Sequence, residues 1–553
     1  MTKQVVILNI TRMGDLFQMT PLLARLEEEW PGVGIDLIVD REFAGMATLI
    51  PGIRQVLAYD FQELLDESRA KVRDIVSLYR DVAAWAKPLL HVGYDRVINL
   101  TFNRRSAFLA GFLGGSDVRG ITTTSGGDFI VKSPWMQYFL DFQQHRHLNR
   151  FNIVDLFALG GSGPGTFHPL RLSIPGNLGG WAEKFLKDWG SPRFWISVQI
   201  GASDPMKAWR PASYGRMMAV LGAAVPVGFV LIGTKKEEPA IQEAIQAYRQ
   251  AGGQAPLCEA FGKTTISELL AILNNCQLMV TNDTGPMHMA VGVQTPVVNI
   301  SVGHVDFRET GPYGPGHWVI QPDISCGPCG FDKVCPHHAC KDHIEARHVA
   351  ELCRYVLTQG PFPIFPSGRI RVYEGCVDED QGGSFLIRAG NEPAQMGWYA
   401  KFWRKFWFET FTGKTSGIEP DSSIPPDFQR VASQWNLWMK QVLSLTHQAD
   451  QVAIMCRQRP MPVALLQEAQ ARLNRQTSAF LAETRPLLAI GPLVTAFFRD
   501  SHNLQSSSLE GMADEHARSF HLLGKRLKDV GKRMQVTMEK QERGSRYAST
   551  TRS

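Results

Sequence analysis

Several short stretches of this sequence carry polar side chains that a simple turn would not need. In ILNITRMGDLFQMTP (7–21) an apolar run opens into a loop bearing Arg12 and Asp15. The turn accounts for Gly14 but not for an arginine and a carboxylate. A carboxylate at the end of a buried strand can act as a general base, taking a proton from a hydroxyl nucleophile. In TNDTGPMHMAVGVQTPVVNI (281–300), Asp283, Thr284 and Gly285 directly follow an apolar strand pattern. A helix is expected from about Pro286, a residue that suits a first helical turn. Backbone N–H groups at a helix start attract phosphate. Thr284 adds a hydroxyl, and His288, one turn further on, can face the same anion. Taken alone, the stretch fits equally well as a routine turn with Asp283 or Thr284 as N-cap.

A matching turn lies one strand earlier. In SVQIGASDPMKAWRPASYGRM (197–217) a strand runs into Gly-Ala-Ser, and Lys207 and Arg210 flank Trp209. A lysine just past a strand end can neutralise a diphosphate as a point charge. The plain alternative is a solvated loop lysine; the 281–288 stretch tips the reading towards an anion site. LIGTKKEEPAI (231–241) offers Glu237, with Glu238 as fallback, to accept hydrogen bonds from ribose hydroxyls. Both acids also suit the first turn of a helix through its dipole. The first turn has no G-x-G-x-x-G and is not a Walker loop, so neither nucleotide fingerprint applies.

The elements that must position these residues follow a β-then-α rhythm. Strands are expected at 5–10, 34–40, 51–60 and 94–100, with helices at 20–30, 62–90 and 105–115. Such alternation gives right-handed βαβ units and a doubly wound parallel sheet. Residues 161–180, rich in Gly and Pro, read as a linker and as the hinge of a closing motion. A second α/β run has helices at 181–189, 236–250 and 266–276 and strands at 194–201, 227–233, 277–283 and 295–301. Two nucleotide-fold halves would then face a cleft, with ligands beyond the carboxyl ends of the strands. After about residue 365, PFPIFPSG breaks the pattern, and helices at 427–500 and 505–543 read as a bundle or antiparallel coil. GWYAKFWRKFWFETF (397–411) places aromatics at helical spacing among Lys401, Arg404 and Lys405. That pattern fits a membrane-surface helix or, better, a helix packed on the core or on a partner subunit. The basic tail RGSRYASTTRS reads as frayed.

Composition bounds the answer. A chain of 553 residues holds two or three domains. Hydrophobic residues at 44% and charged residues at 20% fit a globular protein with real cores. A net charge of +5 permits anionic ligands without arguing for nucleic acid. The first apolar run is too short for a signal peptide, and no stretch reaches the ~18 apolar residues of a membrane span. The expected location is the cytoplasm, where nine cysteines do not suggest a disulfide scaffold. Four of them cluster in CGPCGFDKVCPHHAC: Cys326, Cys329, Cys335 and Cys340, spaced C-x2-C-x5-C-x4-C. Four thiolates this close can form a tetrahedral site for structural zinc or iron, with His337 and His338 as alternative ligands. Reduced structural cysteines or disulfides are the other readings.

NITRMGDLFQMTPLL, the KAW of DPMKAWRPASYG, and above all TNDTGPMHMAVGVQTPVV resemble the ADP-heptose:lipopolysaccharide heptosyltransferases, glycosyltransferase family 9. The resemblance covers about residues 1–360. It implies a GT-B fold, α/β with two doubly wound Rossmann-like domains facing a cleft: residues 1–170 for the acceptor and 171–365 for the nucleotide-sugar donor. Residues 366–553 would be an all-α extension foreign to the family. The implied reaction is an inverting transfer of heptose from ADP-heptose to a hydroxyl of a lipopolysaccharide core or related surface glycan. By resemblance Asp15 is the general base, Lys207 and Ser203 contact the diphosphate, and Glu237 binds the ribose. Asp283, Thr284, Gly285 and His288 form the donor turn. Arg12, Arg104 and Arg105 would meet a phosphorylated acceptor. No metal is expected to be required for catalysis, although similar cysteine clusters occur in an iron-binding branch that glycosylates surface proteins. Expected partners are the nucleotide sugar and a lipid-linked or protein acceptor. Peripheral contact with the inner face of the cytoplasmic membrane and a homo-oligomer through the extension complete the expectation. The extension also admits a protein or flagellar acceptor and a different nucleotide sugar. A third reading, an inactive GT-B scaffold, sits poorly with Asp15, Lys207 and Asp283 all being present.

Overall fold

The first strand explains the sheet around it. Val5, Val6, Ile7 and Leu8 are completely shielded from solvent, as a parallel strand covered by helices on both faces requires. In the computed structural model, which describes residues 2–10, 12–61, 75–331, 334–420 and 425–550, β1 (Gln4–Leu8) pairs in parallel with β2 (Gly34–Asp40). On its other side it pairs with β4 (Arg96–Asn99), while β2 pairs with β3 (Gln55–Tyr59). The order β3-β2-β1-β4 reverses at β1. The carboxyl end of β1 is therefore the switch point, where open α/β sheets take their ligands. Helices Met13–Gln18 and Thr20–Glu29 follow it at once. Of the helix expected at 62–90, Ile75–Leu90 is helical; residues 62–74 lie outside the described residues. An antiparallel hairpin of β5 (Asp117–Thr123) and β6 (Phe129–Lys132) comes next, which the sequence reading does not contain.

A second sheet repeats the plan. It comprises β7 (Phe194–Gln199), β8 (Val227–Ile232), β9 (Leu257–Glu259), β10 (Leu278–Thr281), β11 (Val297–Ile300) and β12 (Trp318–Pro322), extended by β13 (Ile370–Val377) and β14 (Gly383–Ala389). Its order is β14-β13-β12-β11-β10-β7-β8-β9, with antiparallel pairing only at β12-β13 and β13-β14. The switch point falls at β7, from which the GASDPMK loop leaves. Two Rossmann-like halves are thus present, as expected. The all-helical reading after residue 365 is corrected: β13 and β14 precede the helices, because IRVYEGCV sends Ile370 and Val372 into the core at every second position. Linker residues are bonded to both halves. Arg171 N donates to Thr20 Oγ1 (3.2 Å) and Ser173 N to Leu49 O (2.8 Å). Leu172 N donates to Gly292 O (2.9 Å), and Gln294 Nε2 to Leu170 O (3.0 Å).

The chain forms two compact units. Both sheets' strands β1–β4 and β7–β14 lie in the first, which comprises residues up to Thr101, Gly115–Asp117 and Phe151–Asn391. The second gathers Phe102–Gly114, Val118–Arg150 and the chain from Glu392 on. Its helices include Pro134–Asp141, Ala394–Thr412, Phe428–Arg457, Val463–Thr484, Gly491–His502 and Leu509–Thr550. The last of these runs on through the tail that was read as frayed, to Thr550. Residues 551–553 lie outside the described residues. The aromatic helix is core: Trp398, Trp403, Phe406 and Trp407 are buried, Trp403 Nε1 donates to Leu488 O (2.8 Å), and Phe411 meets Trp135 at 5.1 Å. Among the described residues no helix is long and apolar enough to cross a membrane.

Candidate active site

Arg12 is extended (φ −146°, ψ 143°), so the helix after β1 starts at Met13 and Asp15 falls in its first turn. The Asp15 carbonyl accepts from Asn9 Nδ2 (3.0 Å), which ties the turn to the strand end. Surroundings of low polarity push the Asp15 carboxyl up to about 6; the Arg12 charge works against this and Asp283 adds to it. Asp15 is still mostly ionised at neutral pH, yet it is a stronger base than an ordinary carboxylate.

The turn after β10 stands against this loop. A Cβ on Gly14 would lie 3.3 Å from His288 Cδ2, and one on Gly285 would run into the Met13 methyl (1.9 Å). Neither residue proposed as an N-cap caps with its side chain. The Thr284 hydroxyl is paired with Thr281 Oγ1 (3.2 Å), and buried Asp283 accepts from Thr310 Oγ1. The start of helix Gly285–Gly292 is therefore left without a side-chain cap, a suitable place for an anion. Burial raises the Asp283 carboxyl, while Thr310 and Lys207 oppose the rise. His288 is 3% exposed. Burial first and then the Lys207 charge push its imidazole down to about 3, so the ring is neutral at physiological pH. Its Nδ1 is buried without a hydrogen-bond partner.

The β7 loop supplies the cation. A short 3-10 turn, Pro205–Lys207, is capped by Asp204, which accepts from Met206 N (2.8 Å). Lys207 is near enough to act electrostatically on both Asp283 and His288. Ser203 is exposed on the same loop. Glu237 sits where β7 and β8 end. Its Oε1 accepts from Gln199 Nε2 (2.9 Å) and its Oε2 from Thr234 N (2.6 Å) and Oγ1 (2.9 Å). A Cβ on Gly201 would stand 2.0 Å from Glu237 Oε1, so only glycine leaves room for that carboxylate. The structure thus brings together Arg12, Asp15, Lys207, Asp283, Thr284, Gly285 and His288 where the two switch points meet.

Residues 82–340 match the family described as glycosyltransferase family 9 (heptosyltransferase). This part of the chain resembles glycosyltransferase family 9. The chain is similar to lipooligosaccharide heptosyltransferase 2 of Campylobacter jejuni, 35% identical over 161 residues, 28% of this chain and 49% of that protein. A second Campylobacter jejuni heptosyltransferase 2 is matched over 30% of its length, so the chain spans half or less of these two relatives. Lipopolysaccharide heptosyltransferase 1 of Pseudomonas aeruginosa is 22% identical over 342 residues, 60% of this chain and 88% of that protein. Among solved structures, the Escherichia coli ADP-heptose lps heptosyltransferase II is similar over 65% of this chain and 99% of its own, at 19% identity and a TM-score of 0.49. The family 9 match includes Lys207, Glu237 and Asp283 through His288 but begins after Arg12 and Asp15.

Other expected residues lie on other elements. Arg104 and Arg105 open helix Arg104–Leu113 in the second unit, where Arg104 lies over the Phe129 ring at 5.7 Å. The four-thiolate metal site is not shown among the described residues. Cys326 is exposed and Cys340 is buried in helix Ala339–His343. Cys335 Sγ accepts from His338 N (3.3 Å). Among the described residues no three His, Cys, Asp or Glu side chains gather as a ligand set. Asp332 and Lys333, inside the segment, lie outside the described residues. Conversely, the sequence reading passed over Asn282. Fully buried, it donates to Ile200 O (3.1 Å) and Gly201 O (3.4 Å) and accepts from Trp209 N (2.9 Å), joining the Asp283 turn to the Lys207 loop. An asparagine after a strand ordinarily signals only a turn.

Proposed function

We propose that this chain is an inverting glycosyltransferase that moves heptose from ADP-heptose to a hydroxyl of a lipopolysaccharide core or related surface glycan. The observation that carries this reading is the meeting of Asp15 with Lys207, Asp283 and His288 at the switch points of two Rossmann-like sheets. The Asp15 carboxylate takes the proton of the acceptor hydroxyl as its oxygen attacks the anomeric carbon. The bond from that carbon to the diphosphate oxygen breaks, and ADP leaves with the electron pair. Lys207 and the uncapped helix start at Gly285 stabilise the charge that develops on the departing diphosphate. Glu237 meets the ribose, Ser203 the diphosphate, and neutral His288 offers a hydrogen bond that brings no charge. Arg12 is available to an anionic acceptor beside Asp15.

Calorimetry with ADP, UDP, GDP and CDP tests the donor. Selective ADP binding that falls at least tenfold in Lys207→Ala, the scale of a lost charge-assisted bond, supports the ADP-sugar reading. Preference for another nucleotide keeps the transferase and discards heptose. A protein or flagellar acceptor is the second reading, favoured by the long helical segment from Ala394 on, which lies outside the family 9 match. Transfer to isolated core oligosaccharide in the absence of any protein acceptor would count against it.

A further inference from the structure

The Lys207 loop has little regular structure of its own. Between β7 and helix Pro211–Ala224 it holds one 3-10 turn. Such a loop keeps its geometry through bonds to neighbouring chain. One neighbour is Gly303 (φ +71°), where a Cβ would stand 2.3 Å from Met206 O. Asn282, described above, is another, and a third is the end of the cysteine segment. Lys341 Nζ donates to the Pro205 carbonyl at 2.7 Å, and Pro205 opens the turn that ends on Lys207. Trp209 Nε1 donates to the carbonyls of Lys341 (3.0 Å) and Ile344 (3.1 Å). Arg210 Nη2 donates to Asp342 Oδ2 (2.7 Å). That last ion pair is largely exposed, 45% and 55%, and such pairs contribute little. The Lys341 bond is exposed too, but it is charge-assisted and lands on the backbone of the turn itself, so it has the greater hold on the loop's shape.

We propose that Lys341 is a positioning residue for the anion site. By holding the Pro205 carbonyl it fixes the turn that presents Lys207, so donor affinity depends on a lysine that does not touch the donor. This inference rests on reading the Lys207 loop as the diphosphate site. No ligand role for the neighbouring cysteines enters it.

The test is a double-mutant cycle on the full chain, with ADP titrated by calorimetry, or whichever of UDP, GDP and CDP the wild type prefers. Lys341→Met should weaken binding roughly tenfold, and Lys341→Arg, which keeps a donor, by less than about threefold. In a Lys207→Ala background, Lys341→Met should cause little further loss, because its effect passes through Lys207. Where Lys207→Ala binds too weakly to titrate, the contrast between Met and Arg at equal melting temperature decides the matter. Additive losses, or a lower melting temperature with unchanged affinity, make Lys341 merely structural and overturn the proposal. Binding by Lys341→Met equal to wild type overturns it with the anion site intact. A wild type that binds no nucleoside diphosphate overturns the anion site, and the role of Lys341 falls with it.

Discussion

Two side chains of the candidate site carry opposite pH signatures. Asp15→Asn should still bind ADP but lose roughly 10²-fold or more in rate. The wild-type rate should fall below about pH 6, where the Asp15 carboxyl takes up its proton, and a pH series on wild type and variant shows whether that limb belongs to Asp15. His288 is read through stability. Its folded pKa is depressed to about 3, so the unfolded chain binds the proton first and stability is lost as pH falls from about 6.5. Urea unfolding at pH 6.5 and 4.5 should show a loss on the order of 2 kcal/mol that His288→Gln lacks. Asp15, raised rather than lowered, works the other way, gaining stability as pH falls through 6 towards 4. The two effects partly cancel in the wild type, so single variants are needed to see either. Asp15 was legible in the sequence because a turn after an apolar strand requires no carboxylate, and Lys207, Asp283 and His288 because two strand-end turns match and resemble those of the heptosyltransferases. Asn282 was not: its work is done through backbone atoms of Ile200, Gly201 and Trp209, far away in sequence.

Strand ends and the loops that leave them decide the site's shape. Gly201 ends the β7 segment under the Glu237 carboxylate with no room for a Cβ. Gly201→Ala should therefore push Glu237 from its bonds with Gln199 and Thr234, costing about 1–3 kcal/mol of stability by overpacking. If Glu237 serves the ribose, ADP affinity should fall as well. A lower melting temperature with full ADP affinity would remove Glu237 from the donor site. Strands β1, β2, β7, β8, β10 and β11 could be read because they are apolar on both faces. The hairpin β13–β14 could not, since Pro-rich sequence precedes it and its alternation, Ile370 and Val372 inward with Arg371 between them, is short. The fold of the two Rossmann-like halves was thus legible from period and composition, whereas antiparallel edge strands left a weaker mark.

At the scale of the whole molecule, linear blocks mislead. Residues 118–150 fold with the chain beyond Glu392. Val131 N is met by Asn503 Oδ1 (2.7 Å), Asp141 by Arg499 Nε (3.0 Å) and His145 by Thr495 Oγ1 (2.9 Å). No periodicity announces such pairings across hundreds of residues. A truncation after Asn391 should accordingly not yield a clean two-sheet core. We expect it to aggregate or to be cut within 102–150 in limited proteolysis, where the full chain resists. A soluble, monodisperse 1–391 that binds ADP would show that the second unit is dispensable to the first. The same discontinuity has a consequence on the ribosome. Roughly 240 residues separate Arg150 from Glu392, so at about 5–20 residues per second the first part of the helical unit waits roughly 12–50 s for its partners. During that interval Trp135, Met136 and Phe142, all buried in the finished fold, emerge with nothing to cover them, which makes the nascent chain a natural client for chaperones that hold apolar segments.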